Sequence, residues 1–208
     1  KNKKDAKWKL TYQRKKYLLN KKELKMDMIG IHNFKNASLA IIAASLIKIP
    51  ISKSLNAIKE FSGVSRRMEK IDTIKHLPYK DFNNIVDVFD DFAHHPTEIK
   101  YSITSLKEKY KGKKLLSICE IKSNSMLRGT HKEELYNALK ISDLSLIIST
   151  KKINWKFSKS NNNKISMITS YVKINEYIRK NIANIDLILI MSNVNTKNIV
   201  EHIRNEKD

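Results

Sequence analysis

Four short runs of this chain, residues 85–90, 115–120, 144–149 and 185–191, are apolar without alternation. A strand with one face in water alternates polar and apolar residues, so runs that do not alternate belong to strands buried on both faces. The stretches between them carry apolar residues at helical spacing, as with Ile99, Ile103 and Leu106 in the segment 98–110. Further helices are expected at 132–140, 172–182 and 197–204. Buried strands separated by amphipathic helices predict an α/β domain with a mostly parallel sheet covered on both sides.

The rest of the chain reads differently. The first 29 residues are charged, with short alternations such as Trp8-Lys9-Leu10-Thr11-Tyr12, which suits edge strands rather than a domain. Residues 36–47 are apolar almost all round and read as a buried helix whose packing mates lie upstream. A second helix is expected after Pro50, with Ser52 as its cap and Gly63 as its stop. Residues 71–83 read as a polar linker, and Asn161-Asn162-Asn163 as a loop. The division falls at 1–69 and 70–208.

The formal charge of +20 would suit a polyanion. The basic residues are mostly lysine and are spread over every segment, alongside many Asn and Ile. That spread is expected of coding bias toward A and T. Nucleic-acid readers concentrate charge, interleave aromatics and use arginine forks, so no nucleic-acid partner is expected. Cys119 is the single cysteine, set in an apolar run, which points to a buried, reduced thiol. With no long apolar run and no secretory leader pattern, a cytoplasmic protein without a membrane partner is expected.

In open α/β sheets, ligands gather where the strands end. The first run ends Asp90-Asp91-Phe92-Ala93-His94-His95-Pro96-Thr97, the second Glu120-Ile121-Lys122-Ser123-Asn124-Ser125, and the last Met191-Ser192-Asn193. Each has a plain structural alternative. The aspartates could end a strand, Thr97 could cap a helix, and paired histidines in a loop are commonly surface hydrogen-bonders. Two His and two Asp could also hold a metal, although the spacing fits no common zinc pattern, and no metal ligand is assigned in this chain.

Three segments, in order, resemble signatures of the Mur ligases: Gly30-Ile31-His32-Asn33-Phe34-Lys35-Asn36-Ala37, Phe61-Ser62-Gly63-Val64-Ser65-Arg66-Arg67-Met68-Glu69, and Asp90 to Glu98. The resemblance covers about residues 30 to 193. It implies a Rossmann-like C-terminal domain at 70–208, preceded by the end of a central α/β ATP-binding domain at 1–69. Glu120, Ser123-Asn124-Ser125-Met126 and Gly129-Thr130-His131-Lys132 are similar to the branch that ligates the L-alanyl-γ-D-glutamyl-meso-diaminopimelate tripeptide to UDP-N-acetylmuramate in murein recycling. The branch that adds L-alanine instead, which carries Gln-Pro-His-Arg at this strand end, is the alternative.

Members of the family form an acyl phosphate from ATP and a carboxylate, which an amine attacks; the protein neutralises charge and positions the reactants. The resemblance implies ATP and Mg2+ as cofactors, with the metal ligands upstream. It implies that His32, Asn33 and Asn36 contact the adenine region, that Arg67 reaches the nucleotide phosphates, and that Asp91 binds the ribose hydroxyls. His94 and Arg67 are the candidate catalytic residues, His94 as an orienting group rather than a general base. His94, Lys122, Ser123 and Asn124 would face the peptide and the reacting phosphate. For the two asparagines the alternative is helix capping, and for Arg66 a solvated surface charge.

The departures are specific. Ile121-Lys122 stands where the family has Pro-Arg, which replaces a planar fork by a point charge. Val194-Asn195-Thr196-Lys197 stands where a glycine-rich turn is expected. No Gly-x-x-x-x-Gly-Lys-Ser/Thr segment occurs, so the backbone cradle for ATP phosphates is missing, as are the rest of the central domain and an N-terminal UDP-sugar domain. Alone, the chain is expected to be inactive, either as a fragment or as a non-catalytic remnant or binding module.

Overall fold

In the computed structural model, residues 7–74, 85–157, 164–181, 183 and 185–204 are described. The chain divides into two compact units, Lys1–Gly63 and Val64–Asp208. The division falls six residues ahead of the expected 69/70, because residues 66–68 bond to the second unit's own sheet: Phe92 N donates to Arg66 O at 2.8 Å and Met68 N to Asp91 Oδ2 at 2.9 Å.

The first unit opens with an antiparallel meander of β1 (Leu10–Gln13), β2 (Lys16–Leu19) and β3 (Lys22–Glu23). Both hairpins turn on two residues at positive φ, Arg14 and Lys15, then Asn20 and Lys21. Two-residue hairpins need that conformation to match the twist of their strands, and here it is adopted without glycine. Asn20 recovers part of the cost by accepting Lys9 N through Oδ1 at 2.8 Å.

Helix α1 (Ile31–Leu46) buries Asn33, Ala37, Ser38 and Ile41, a single stripe at helical spacing. Its packing mates are in this chain: Leu19 and Leu24 from the meander region, and Leu55 and Ile58 of α2 (Ile51–Glu60). The opposite side stays open, with Leu39 and Leu46 exposed. The mates of this stripe lie within the chain and not upstream, which corrects the expectation for that side of the helix. Helix α2 begins at Pro50 with no side-chain cap, so Ser52 is not its N-cap, and it ends at Phe61, before Gly63.

The second unit contains β4 (Glu69–Ile74), β5 (Val86–Asp91), α3 (Pro96–Lys109), β6 (Leu115–Glu120), α4 (Asn124–Leu127), α5 (Lys132–Leu139), β7 (Leu144–Ile148), β8 (Ile165–Ile168), α6 (Lys173–Asn181), β9 (Leu187–Met191) and α7 (Lys197–Arg204). The six-stranded sheet has the order β4-β5-β9-β6-β7-β8. All neighbours are parallel except β4, which runs antiparallel to β5. This is the expected α/β architecture with a mostly parallel sheet.

Every residue of β6 and of β9 is buried, as their unbroken apolar runs predict. On one face Leu116, Ile118, Ile188 and Ile190 pack with Ile174 and Ile178 of α6 and Ile199 and Ile203 of α7. Residues of opposite parity, Phe89, Leu115 and Leu189, are buried too, and Phe89 meets Tyr110 at the end of α3 with ring centres 5.6 Å apart. Burying each of these aliphatic side chains contributes about 1.5–3 kcal/mol. Cys119 lies in this core, and burial pushes its thiol up to about 12.

Part of the expected linker is strand: residues 69–74 form β4, whose side chains are exposed or half-buried. An edge strand so solvated carries a polar composition that reads as loop. The remainder of the expected linker, from residue 75 to residue 83, lies outside the described residues, as does Asn161-Asn162-Asn163. Among the described residues, no helix is long and apolar enough to cross a membrane.

Candidate active site

The parallel strands end on one edge of the sheet, and the second and third motif segments interlock there. Asp90 and Asp91, at the end of β5, are 4% and 2% exposed. Asp90 Oδ2 accepts Arg66 Nε at 3.0 Å and Thr196 Oγ1 at 2.9 Å. The Arg66 guanidinium also donates through Nη2 to Ser192 O at 2.7 Å, bridging β5 and β9. Arg66 is thus a structural cross-link and not a solvated surface charge. Its own backbone N donates to Glu69 Oε2 at 2.7 Å and its φ is 58°, so a tight turn presents Arg67 beside it.

Asp91 Oδ2 accepts Met68 N at 2.9 Å and Oδ1 accepts Ala93 N at 2.7 Å. Burial raises its pKa above the ordinary carboxylate value, in spite of these amides and the nearby charge of Arg67, which act the other way. Through these two amides Asp91 fastens the arginine turn to β5.

Phe92 is the platform of the site. The guanidinium carbons of Arg66 and Arg67 lie 5.4 and 5.5 Å from its ring centre, within cation–π range. Arg67 is exposed, which leaves its fork facing outward. The edge of His94 meets the same ring at 5.3 Å, and His94 Nδ1 lies 3.0 Å from Phe92 O. A carbonyl only accepts, so Nδ1 carries a proton and Nε2 faces away from this bond. The cap of α3 is His95, which accepts Thr97 N at 3.4 Å, with Pro96 in the first turn; the expectation that Thr97 caps is corrected.

At the end of β6 the Glu120 side chain is 1% exposed. Its Oε1 accepts the Tyr171 hydroxyl and Lys122 Nζ, the latter at 3.1 Å, and its Oε2 accepts Ser192 Oγ at 2.7 Å. Lys122 also donates to Thr150 Oγ1 at 3.1 Å and lies 5.8 Å from the centre of the Tyr171 ring. Burial opposes the Lys122 charge, but hydrogen bonds to Glu120 and Tyr171 and the charge on Glu120 outweigh it, so the pKa is raised. The ends of β6 and β9 and Tyr171, ahead of α6, are tied through one carboxylate, and Lys122 extends the link to Thr150 after β7.

Ser123 precedes α4 and makes no capping bond with its side chain; Asn124, the first helical residue, is exposed. In the first unit, Asn33 is buried and donates Nδ2 to Ile29 O at 2.6 Å, so its amide serves the backbone at the start of α1 without being its N-cap, which is Gly30. His32 is half-buried and Asn36 exposed.

Arg67 fits an anionic phosphate: it is a charged planar fork, exposed and stacked on a ring. Two buried acceptors at the same edge, Asp90 Oδ1 and Asn193 Oδ1, have no hydrogen-bond partner among the described residues, and an unmet buried acceptor is costly. Donor hydrogens from a ligand would satisfy them. Among the described residues, no group of three His, Cys, Asp or Glu side chains is placed to hold a metal ion.

Reading the sequence missed Tyr171, Thr150 and Trp155. Tyr171 sits between an edge strand and a helix, where no motif marks it. Trp155 carried one signal, as one of two tryptophans in the chain.

No protein-family model matches the chain. It is 30% identical over 175 residues to the UDP-N-acetylmuramate–L-alanyl-γ-D-glutamyl-meso-2,6-diaminoheptandioate ligase of Haemophilus influenzae, covering 82% of this chain and 37% of that protein. It is 30% identical over 138 residues to the enzyme of the same name from Escherichia coli, covering 66% of this chain and 28% of the enzyme. The UDP-N-acetylmuramate–L-alanine ligase of Pelagibacter ubique is 33% identical over 112 residues, 54% of this chain and 22% of that protein. The chain therefore spans well under half the length of these relatives. Among solved structures, a murein peptide ligase from Psychrobacter arcticus superposes with a TM-score of 0.69 at 25% identity, covering 100% of this chain and 46% of that one. In sequence and in fold, this chain is a homologue of the Mur ligases, the murein peptide ligase among them.

Proposed function

We propose that this chain is the C-terminal part of a cytoplasmic, ATP-dependent ligase that joins the L-alanyl-γ-D-glutamyl-meso-diaminopimelate tripeptide to UDP-N-acetylmuramate in peptidoglycan recycling. In this reading the first unit is the end of the central ATP-binding domain and the second is the C-terminal domain. The observation that carries it is the interlock of two motif segments at the sheet edge: Arg66 on Asp90, Met68 on Asp91, and Arg67 held out over Phe92.

ATP, with Mg2+ held by residues upstream of this chain, supplies the phosphoryl group that activates the carboxylate. Arg67 offers its guanidinium to the phosphates, where neutralising developing negative charge lowers the barrier. His94, with a proton fixed on Nδ1 by Phe92 O, orients the reacting groups through Nε2. Ser123 and Asn124 present a hydroxyl and an amide to the peptide, and Lys122 adds a cation already half-neutralised by Glu120. In the first unit, His32 and Asn36 serve the adenine region while Asn33 holds the backbone that carries them.

The test is to read the gene upstream of Lys1, express the protein it encodes and follow ADP release. ADP formation that requires both UDP-N-acetylmuramate and the tripeptide is the expected result. Equal turnover with free L-alanine and none with tripeptide would assign the protein to the L-alanine ligases. An upstream frame with no phosphate-binding loop would make the chain a non-catalytic remnant.

A further inference from the structure

Helix α4 is a single turn of four residues, too short to be stable by itself, and its last carbonyls have no partners within it. Asn124 O, Ser125 O and Met126 O accept the backbone N–H groups of Arg128, Thr130 and Gly129, and Trp155, in the segment after β7, supplies the donor for Leu127 O: its Nε1 lies 3.0 Å from Leu127 O and 3.2 Å from Met126 O. The indole also closes on Gly129, where an added Cβ would fall 2.6 Å from Cδ1 and 2.7 Å from Cγ. Gly129 has a φ of +76°, so both backbone conformation and space demand glycine there. Behind the indole stand Phe157, with ring centres 5.4 Å apart, and then Tyr136 of α5 at 5.3 Å from Phe157.

The two ends of α4 are used differently. The carboxyl end is fixed by an aromatic stack, while at the amino end the Ser123 side chain makes no capping bond and Asn124 is exposed. We propose that Trp155 is a positioning residue that clamps α4 from behind so that Ser123 and Asn124 are held in place for an acidic peptide; the identity of that ligand rests on the ligase reading above. Hydroxyl and amide donors that have no partner among the described residues suit the carboxylates and amides of such a peptide. Holding them on an ordered turn removes part of the ordering cost of binding.

The test uses the whole 208-residue chain. Trp155→Phe keeps a ring against Gly129 and removes the N–H donor. Amide exchange of Leu127, Arg128, Gly129 and Thr130 is expected to speed up roughly tenfold, the worth of one or two such bonds, while amides of β6 and β9 stay unchanged. Tripeptide affinity by calorimetry is expected to fall roughly five- to tenfold with them. Gly129→Ala, which displaces the indole, should produce both changes by a different route. Unaltered exchange in both variants would overturn the clamp, as would accelerated exchange with unaltered tripeptide affinity. A wild-type chain that binds no tripeptide would sink the peptide reading, and the exchange measurement would still decide whether Trp155 holds α4.

Discussion

Glu120 is the residue on which the sheet edge turns. A carboxylate this deeply buried is tolerated when hydrogen bonds and a countercharge surround it, and Tyr171, Lys122 and Ser192 provide both. Removing a neutral donor and removing the countercharge should therefore differ in cost. Tyr171→Phe is expected to lower unfolding stability by about 1–1.5 kcal/mol, since two donors remain. Lys122→Ala is expected to cost about 3–5 kcal/mol, because it leaves the charge buried without its partner. Urea denaturation of the two variants checks the order; an equal loss would mean that Lys122 is not the countercharge. Lys122 was legible as a strand-end cation, but its pairing with a residue two positions back and with Tyr171 was not. The hydroxyl of Tyr171 reaches Glu120 across 51 positions of sequence, and no local pattern encodes that.

Among the elements, the junction of α3, β6 and β7 at the amino end of the sheet rests on Asp143. Its Oδ2 accepts Leu115 N at 2.9 Å and Lys107 Nζ at 2.8 Å. Partial burial works against its charge, yet the amide of Leu115 and the ammonium of Lys107 outweigh it and lower the pKa below the ordinary 3.8. For an acid with a depressed folded-state pKa, the stabilisation is present above the unfolded value and is lost as pH falls through the folded one. Asp143→Asn should thus unfold at lower urea than wild type at pH 7. The gap should close as pH falls below about 3.8. A gap that stays constant down to pH 2 would show that the charge contributes nothing. Elements with strong periodicity, such as β6 and α7, were legible almost to the residue. Strand β4 was not, because an antiparallel edge strand is recognised by its pairing with β5 rather than by apolar content.

For the whole molecule, the +20 charge is the property with measurable consequences. Like charges spread over a surface repel one another and favour the expanded state, and salt screens that repulsion within about 10 Å at 0.1 M. The melting temperature is expected to rise by roughly 2–5 °C between 20 and 200 mM sodium chloride, which differential scanning fluorimetry can read. A fall over that range would mean that attractive ion pairs such as Arg204 with Asp72 outweigh the repulsion.

The buried parallel sheet, its covering helices and the order of three motif segments follow from residue types and spacing alone, because apolar periodicity acts over a few residues. The partners at the site needed the folded chain. Arg66 bridges Asp90 and Ser192 O, Asp91 turns inward to two backbone amides, and Tyr171 and Ser192 close on Glu120. Each of these bonds except Asp91 to Ala93 joins residues more than 20 positions apart. Which buried acid meets which distant donor depends on how the strands are ordered in the sheet, and strand order is a global property that no window of sequence contains.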